Sequence, residues 1–376
     1  MNELAALKRI DFANMFPQAT ARLNGNRETT NYGGDNFDAD PELSLTASIS
    51  WELDLWGNLR WARDHSTAEF LASVENCRAV KMGLVAQVAQ SYFELMALDN
   101  ELAIVRRTLE ARREGVRLAE IRFKGGLTSE IVFQQAKVEL AKTATMVPDL
   151  ERRISLKESE IALLTGDFPY AVNRNVLPEE IQLPDALPLG LPSTLLERRP
   201  DIRKAERELM AAHAEVGLAY TNMFPRLALT ATLGAESETL RDLLKSPYSY
   251  LAGNLLSPLF AMGKNRAALK AKRAAYEGAV AEYEKTVLTA FKETHDTIIN
   301  FNKIKDIYES RRQLAEASRT AVELAQLQYI NGVIGYLDLL DAQRNYFDAQ
   351  VSLSNAVCDK QLMIINLYKA LGGGWK

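Results

Sequence analysis

Two cysteines and three histidines in 376 residues leave this chain little material for metal or nucleophile chemistry. His65, His213 and His295 lie far apart in polar, helix-like stretches without metal-ligand spacing, so each reads as a solvated surface histidine. Cys77 and Cys358 fall inside predicted helices, form no CxxC pair and read as small buried side chains rather than a redox couple. A basic surplus is missing too. The 45 lysines and arginines face 49 acids for a net charge of -4, which speaks against nucleic acid as a partner. No run approaches about 18 uninterrupted apolar residues, which excludes a transmembrane helix but not a β-barrel, whose strands carry a fainter signal. Walker, GxGxxG and GxSxG patterns are absent, so neither an enzyme nor a cofactor or metal site is expected. The opening Met1-Asn2-Glu3-Leu4 is polar and helix-like, unlike a signal peptide.

What the chain does have is itself, twice. Met15-Phe16-Pro17 recurs as Met223-Phe224-Pro225, and Trp56-Gly57-Asn58-Leu59-Arg60 answers to Met262-Gly263-Lys264-Asn265-Arg266. Phe123-Lys124-Gly125-Gly126-Leu127 matches Tyr329-Ile330-Asn331-Gly332-Val333, and Leu164-Thr165-Gly166 meets Ala370-Leu371-Gly372. The offset stays at about 206 to 208 residues, too long for a solenoid unit, so two copies of one structural unit are expected. The organisation predicted is a first repeat over 1–166, a proline-rich linker over 167–199, a second repeat over 200–372 and a tail over 373–376.

Each repeat opens on a strand pair. From Leu43 to Leu55 every odd position is apolar (Leu43, Leu45, Ala47, Ile49, Trp51, Leu53, Leu55) while Ser44, Thr46, Ser48, Ser50, Glu52 and Asp54 fill the even ones. At about 3.3 Å per residue such a run reaches about 40 Å, more than most globular strands need. Residues 18–23 and 226–233 alternate in the same way, and a fourth segment runs from Tyr248 to Phe260. Polar loops are expected between Asn24 and Pro41 and between Glu236 and Pro247. A soluble sheet resting one face on a core gives the same alternation. Here, however, four strands stand in two separated hairpins, with no helix cut to cover them. Four strands cannot close a barrel, which takes about eight at least, so the barrel must be shared between subunits.

The helices are as unusual. No proline interrupts Trp56 to Lys124 or Gly263 to Ile330, and nearly seventy residues at 1.5 Å each make about 100 Å of helix. Returning helices are expected from Thr128 to Thr165 and from Tyr336 to Leu371, and alanines such as Ala86, Ala89, Ala349 and Ala356 fill much of the apolar pattern of the long and returning helices alike. An ordinary long bundle fits these helices equally well; the strands decide against it. The segment from Phe168 to Pro192 reads as an extended belt, and Pro200-Asp201-Ile202-Arg203 as the start of the next helix.

Four stretches together carry a resemblance. Trp51-Glu52-Leu53-Asp54-Leu55-Trp56-Gly57, Leu196-Glu197-Arg198-Arg199-Pro200-Asp201-Ile202-Arg203, Leu339-Leu340-Asp341-Ala342-Gln343-Arg344 and the C-terminal Asn366 to Trp375 resemble, in order, the TolC-like outer-membrane efflux channels, specifically the NodT-like lipoprotein branch that serves RND-type pumps. The resemblance implies an α+β membrane protein: a homotrimer whose subunits each give four strands to a twelve-stranded barrel, continued by a long α-helical tunnel with an equatorial belt at its middle. It implies an outer-membrane location in a Gram-negative cell, reaching into the periplasm. The function implied is a passive exit duct for drugs or other small toxic compounds, with outer-membrane lipid, a periplasmic membrane-fusion adaptor and an inner-membrane RND-type pump as partners. Family members begin with a signal peptide, a lipid-bearing cysteine and a helix before the first strand. Here Glu3 to Asn14 alone corresponds to that helix, matching Ala211 to Asn222, so a shortened start is expected.

The resemblance also assigns residues. Leu337 and Asp341, one turn apart on a single helical face, match positions that narrow the closed periplasmic mouth, with Asp338 beside them and Tyr329 on the preceding helix. An acidic ring there favours cations; acids at a helix start that merely complement the dipole are the plain alternative. Gly125, Gly126, Leu127, Gly332 and Val333 match the tunnel tips that meet an adaptor, where a simple pair of helix caps is the alternative. Glu52 and Asp54 fall on the polar side of the barrel, facing its lumen, and Trp51, Trp56 and Trp61 are candidates for an interfacial aromatic girdle, with Trp61 fitting equally well as a residue packed between helices. The rival to all of this is a soluble or periplasmic coiled-coil adaptor or scaffold, which shares the helices but has no need of the strands.

Overall fold

The structure, a computed structural model, describes residues 1–30, 38–174, 197–258 and 261–373. Most of the proline-rich linker, the tip of the first hairpin, Phe260 and the last three residues lie outside them. The chain runs α1 (Asn2–Ala13), β1 (Gln18–Thr30), β2 (Asp38–Leu53), α2 (Asn58–Lys124), α3 (Glu130–Thr165), α4 (Pro200–Thr221), β3 (Arg226–Ser237), a short 3-10 turn (Leu243–Lys245), β4 (Pro247–Leu256), α5 (Lys264–Ile330) and α6 (Tyr336–Ala370). The helices α2 and α5 are each 67 residues long, and α3 and α6 are 36 and 35.

The internal repeat is written into the backbone. Gly57 and Gly263, Gly126 and Gly332, and Gly166 and Gly372 all adopt positive φ, between 69° and 82°. Each pair is separated by the same 206 residues. Only glycine takes the left-handed conformation without strain, so these positions fix where each long helix starts, where it turns and where its partner ends. Non-glycine residues avoid that conformation; Met262, beside Gly263 at φ 46°, is the exception among the described residues.

Two compact units cut across the repeats, each taking part of both. One comprises Met1–Cys77 and Pro200–Leu288, the other Arg78–Arg199 and Thr289–Lys376. The first unit holds the sheet, antiparallel throughout in the order β1-β2-β3-β4. The β1–β2 ladder continues from Gln18↔Ser50 to Thr30↔Asp38, so much of the stretch expected as a polar loop is strand. Ladder hydrogen bonds come from the backbone, so pairing persists where the apolar alternation that marks a strand has faded. The strand β2 stops at Leu53, two residues earlier than the alternation reaches.

Packing in the second unit is that of helical hairpins. Leu95, Leu98, Leu102 and Val105 of α2 bury against Leu150, Ile154 and Ile161 of α3. Phe301 and Ile304 of α5 do so with Met363 of α6. Cys358 is buried, its Sγ 3.7 Å from the Phe93 carbonyl, and burial pushes its thiol up to about 11. Cys77, by contrast, is exposed: its turn of α2 presents that face outward, which corrects its reading as a buried side chain. His213 and His295 are exposed, while His65 is half-buried with Nδ1 3.1 Å from the Ala211 carbonyl.

Candidate functional site

Residues paired across a ladder point to the same face, and the registers here couple odd positions to odd ones: Leu23↔Leu45, Ala47↔Leu233, Ile49↔Ala231, Trp51↔Leu229 and Ala231↔Leu251. One face of the sheet is therefore a continuous apolar surface, with Leu23, Ile49, Leu233 and Leu251 at 66, 54, 68 and 79% exposed. A soluble sheet packs that face on a core; here only the Ala235 end is buried, beside the short 3-10 turn, and Leu23, Ile49, Leu233 and Leu251 stand open. On the opposite face, hydroxyls bond across strands, Ser48 to Thr232 at 2.8 Å and Thr230 to Ser50 at 3.4 Å. The outermost strands β1 and β4 each have one neighbour in the sheet. An apolar exterior, a polar interior and two open edges describe part of a membrane barrel.

Aromatic rings gather where the sheet meets the helices. Trp51 donates its indole N–H to the Met15 carbonyl (3.0 Å), and Trp56 donates to that of Pro225 (2.8 Å). Trp56 stacks on Phe224 with centroids 4.9 Å apart. Phe16, Trp51 and Trp56 remain well exposed. Trp61 differs from this pair. It packs inside the first unit between His213 and Gly217 rather than at a rim. Glu52, opposite Ala228, lies on the polar face. Asp54 lies beyond the strand. Its carboxylate accepts from the backbone N–H groups of Leu59 and Arg60 and pairs with the Arg60 guanidinium, all at 3.0 Å, so it caps the start of α2.

At the turns of the second unit, Gly126 and Gly332 reverse the chain, leaving Leu127 and Val333 strongly exposed. The residues assigned to the gate part company here. Leu337 and Asp341 are exposed on one face of α6, whereas Tyr329 is buried among Ala119, Ala136, Tyr336, Leu339 and Leu340. Asp338 accepts the Gly335 N–H at 3.1 Å and so works as a cap. Asp341 accepts from the Asn345 side-chain amide at 3.4 Å and lies within electrostatic reach of Arg344.

The sequence reading missed the residues that hold these turns together. Arg122 donates to the Tyr329 carbonyl at 3.0 Å and lies 4.6 Å above its ring, joining the two hairpins. Nearby, Arg112 bonds to Gln343 and Arg344 bonds to Glu139. Arginine in the last turn of a long helix was the available signal for Arg122, since cations there complement exposed carbonyls. No comparable signal marked Glu139. The bond from Arg344 holds its carboxyl below the usual 4.5. A depressed value means stability present at neutral pH and lost as pH falls through the lowered value, so Glu139→Gln should flatten the acid limb of a thermal-melt profile below about pH 4.5 and leave neutral pH less stable.

Among the described residues no helix is long and apolar enough to cross a membrane, and no group of three or more potential ligands is placed to hold a metal. The exposed apolar face of the sheet is a surface suited to lipid. The geometry is that of a subunit contributing part of a pore.

The comparisons place that class. The chain matches the family model described as outer membrane efflux protein over residues 4–167 and 191–373, and it belongs to that family. It is 33% identical to the outer membrane protein OprJ of Pseudomonas aeruginosa, over 98% of this chain and 78% of the relative. It is equally identical to the toluene efflux pump outer membrane protein TtgI of Pseudomonas putida, over 98% and 80%. A crystal structure of a membrane protein from Pseudomonas aeruginosa superimposes with a TM-score of 0.93 at 31% identity, covering 100% of this chain and 85% of the other. The fold is that of TolC-like trimeric channels, a shared twelve-stranded barrel continued by a helical tunnel. The protein is an outer-membrane channel of a tripartite efflux system, a passive duct and not an enzyme, in a Gram-negative cell. The adaptor or scaffold alternative falls with this result.

Proposed function

We propose that Leu337 and Asp341 form the periplasmic gate of this duct, and that the turns at Gly125, Gly126, Leu127, Gly332 and Val333 are where a membrane-fusion adaptor engages it. The observation that carries the gate is the pairing on one face of α6 of an exposed apolar residue and an exposed carboxylate. Neither is absorbed by the packing that takes up Tyr329 or by the cap that takes up Asp338. Three copies around an axis give a ring of carboxylates backed by a ring of leucines, narrow and cation-favouring. Tyr329 supports the gate from behind, through Arg122. An RND-type pump drives cargo into the duct; its cargo is small toxic compounds of the kind a solvent or drug pump removes. Outer-membrane lipid lies against the apolar face, with Trp51 and Trp56 at its rim, and Glu52 lines the lumen.

In planar bilayers, Leu337→Ala with Asp341→Ala should raise single-channel conductance several-fold and weaken cation selectivity. Unchanged conductance and unchanged drug leakage in cells would remove the gate from this position. For the tips, single cysteines at Gly126 and Gly332 should crosslink to an adaptor supplied in the same cells; no product at either would exclude contact there.

A further inference from the structure

Tyrosine near the end of a barrel strand usually belongs to the lipid-facing aromatic girdle. The register forbids that here. Tyr248 pairs with Gly234 and Tyr250 with Thr232, while the lipid-facing leucines of the same strand, Leu251 and Leu255, pair with Ala231 and Leu227. Both tyrosines therefore share the face of Thr232 and Ser48, which hydrogen-bond to each other on the polar side. A barrel in lipid turns its apolar row outward, so this face is the lumen wall.

Three details describe what the rings do there. They are parallel within 6°, with centroids 6.5 Å apart. The end of the Tyr248 ring lies over Gly234, where a Cβ would meet its hydroxyl oxygen at 2.6 Å and Cε1 at 2.8 Å, so glycine clears the floor beneath it. The residues alongside on that face are small, Thr46 and Ser48 on β2. Tyr250 is 53% exposed, so ring surface is open to whatever passes. Glu42 and Glu236 stand on the same face toward the hairpin tips, and Arg22 stands on β1.

We propose that Tyr248 and Tyr250, repeated by the three subunits, form an aromatic collar at the outer end of the lumen that engages planar aromatic cargo ring to ring as it leaves. The electron-rich ring faces favour planar cations over planar anions. This rests on the channel reading above and adds a point of chemical selection to a polar lumen wall.

The test is current blockade in planar bilayers by ethidium, a planar aromatic cation, with the aliphatic cation spermidine as control. Tyr250→Leu, which leaves Tyr248 on Gly234, and the double Tyr248→Leu/Tyr250→Leu should shorten ethidium block dwell times, the double by roughly tenfold. Spermidine block should be unchanged. Tyr248→Phe/Tyr250→Phe should keep the ethidium dwell, because ring faces rather than hydroxyls make the contact. Dwell times unaltered in Tyr250→Leu and in the double variant, or lost in the phenylalanine pair, overturn the collar while leaving a conducting channel intact. Wild-type protein that conducts no current at all overturns the channel reading itself.

Discussion

Replacing Gly217 by alanine should destabilise the protein, against the helix-propensity expectation. Gly217 lies inside α4, where alanine is favoured over glycine by about 1 kcal/mol. A Cβ at this position, however, would stand 2.8 Å from Cγ of Trp61 and closer still to the rest of the indole. The contact is with the body of a rigid indole that also packs edge-on to His213, centroids 5.5 Å apart, so the whole ring must shift to admit the methyl group. Overpacking of this kind costs about 1–3 kcal/mol, enough to reverse the propensity gain. The decisive measurement is the double-mutant cycle. In a Trp61→Ala background, Gly217→Ala should become neutral or stabilising in thermal unfolding, a change of sign that measures the coupling between the two residues. Equal destabilisation in both backgrounds would mean that Trp61 does not occupy the space the glycine leaves.

The second large effect is an asymmetry between twin residues. Gly166 and Gly372 are equivalent in the two repeats and end α3 and α6 in the same left-handed conformation, at φ 81° and 69°. Alanine at either should cost about 1–2 kcal/mol for that conformation alone. At Gly166 a Cβ meets nothing within 4 Å. At Gly372 it would lie 3.0 Å from the carbonyl of Arg198 and 3.1 Å from Cα of Arg199, backbone that cannot swing aside. That backbone is itself pinned. The buried Arg199 donates to Glu293 at 2.6 Å and reaches the Ala370 carbonyl at 3.4 Å. Gly372→Ala should therefore cost about 2–4 kcal/mol and Gly166→Ala about half that, read as the two variants' unfolding midpoints. Equal shifts would show that the Arg198–Arg199 contact yields.

Both contacts join residues far apart in the chain, beyond what local sequence reveals. The repeat, the four strands and the helix ends were legible because they depend on local chemistry: glycine at turns, alternation in strands, proline kept out of the two longest helices. Helices expected over Trp56 to Lys124 and Gly263 to Ile330 run from Asn58 and Lys264 to the same ends. What a residue touches across the fold was not legible. Periodicity set Leu337 and Asp341 on one face of α6, but only packing shows Tyr329 turned inward against Tyr336. Alternation carried Asp54 into the strand, because nothing local reveals that the backbone N–H groups of Leu59 and Arg60 need an acceptor there. Trp61 read as a membrane anchor or a packed residue with equal right until Gly217, some 150 residues away, gave it a seat.

The open edges of β1 and β4 have a consequence before any channel exists. A chain folded alone in an aqueous compartment offers two unsatisfied strand edges beside an oily surface, a template that accepts any extended segment as readily as the correct neighbour. Productive trimerisation therefore competes with sticking at random. Yield on refolding should climb with protein concentration only up to a point and then collapse into precipitate, unless detergent or a holding chaperone shields each lone copy until its two companions arrive.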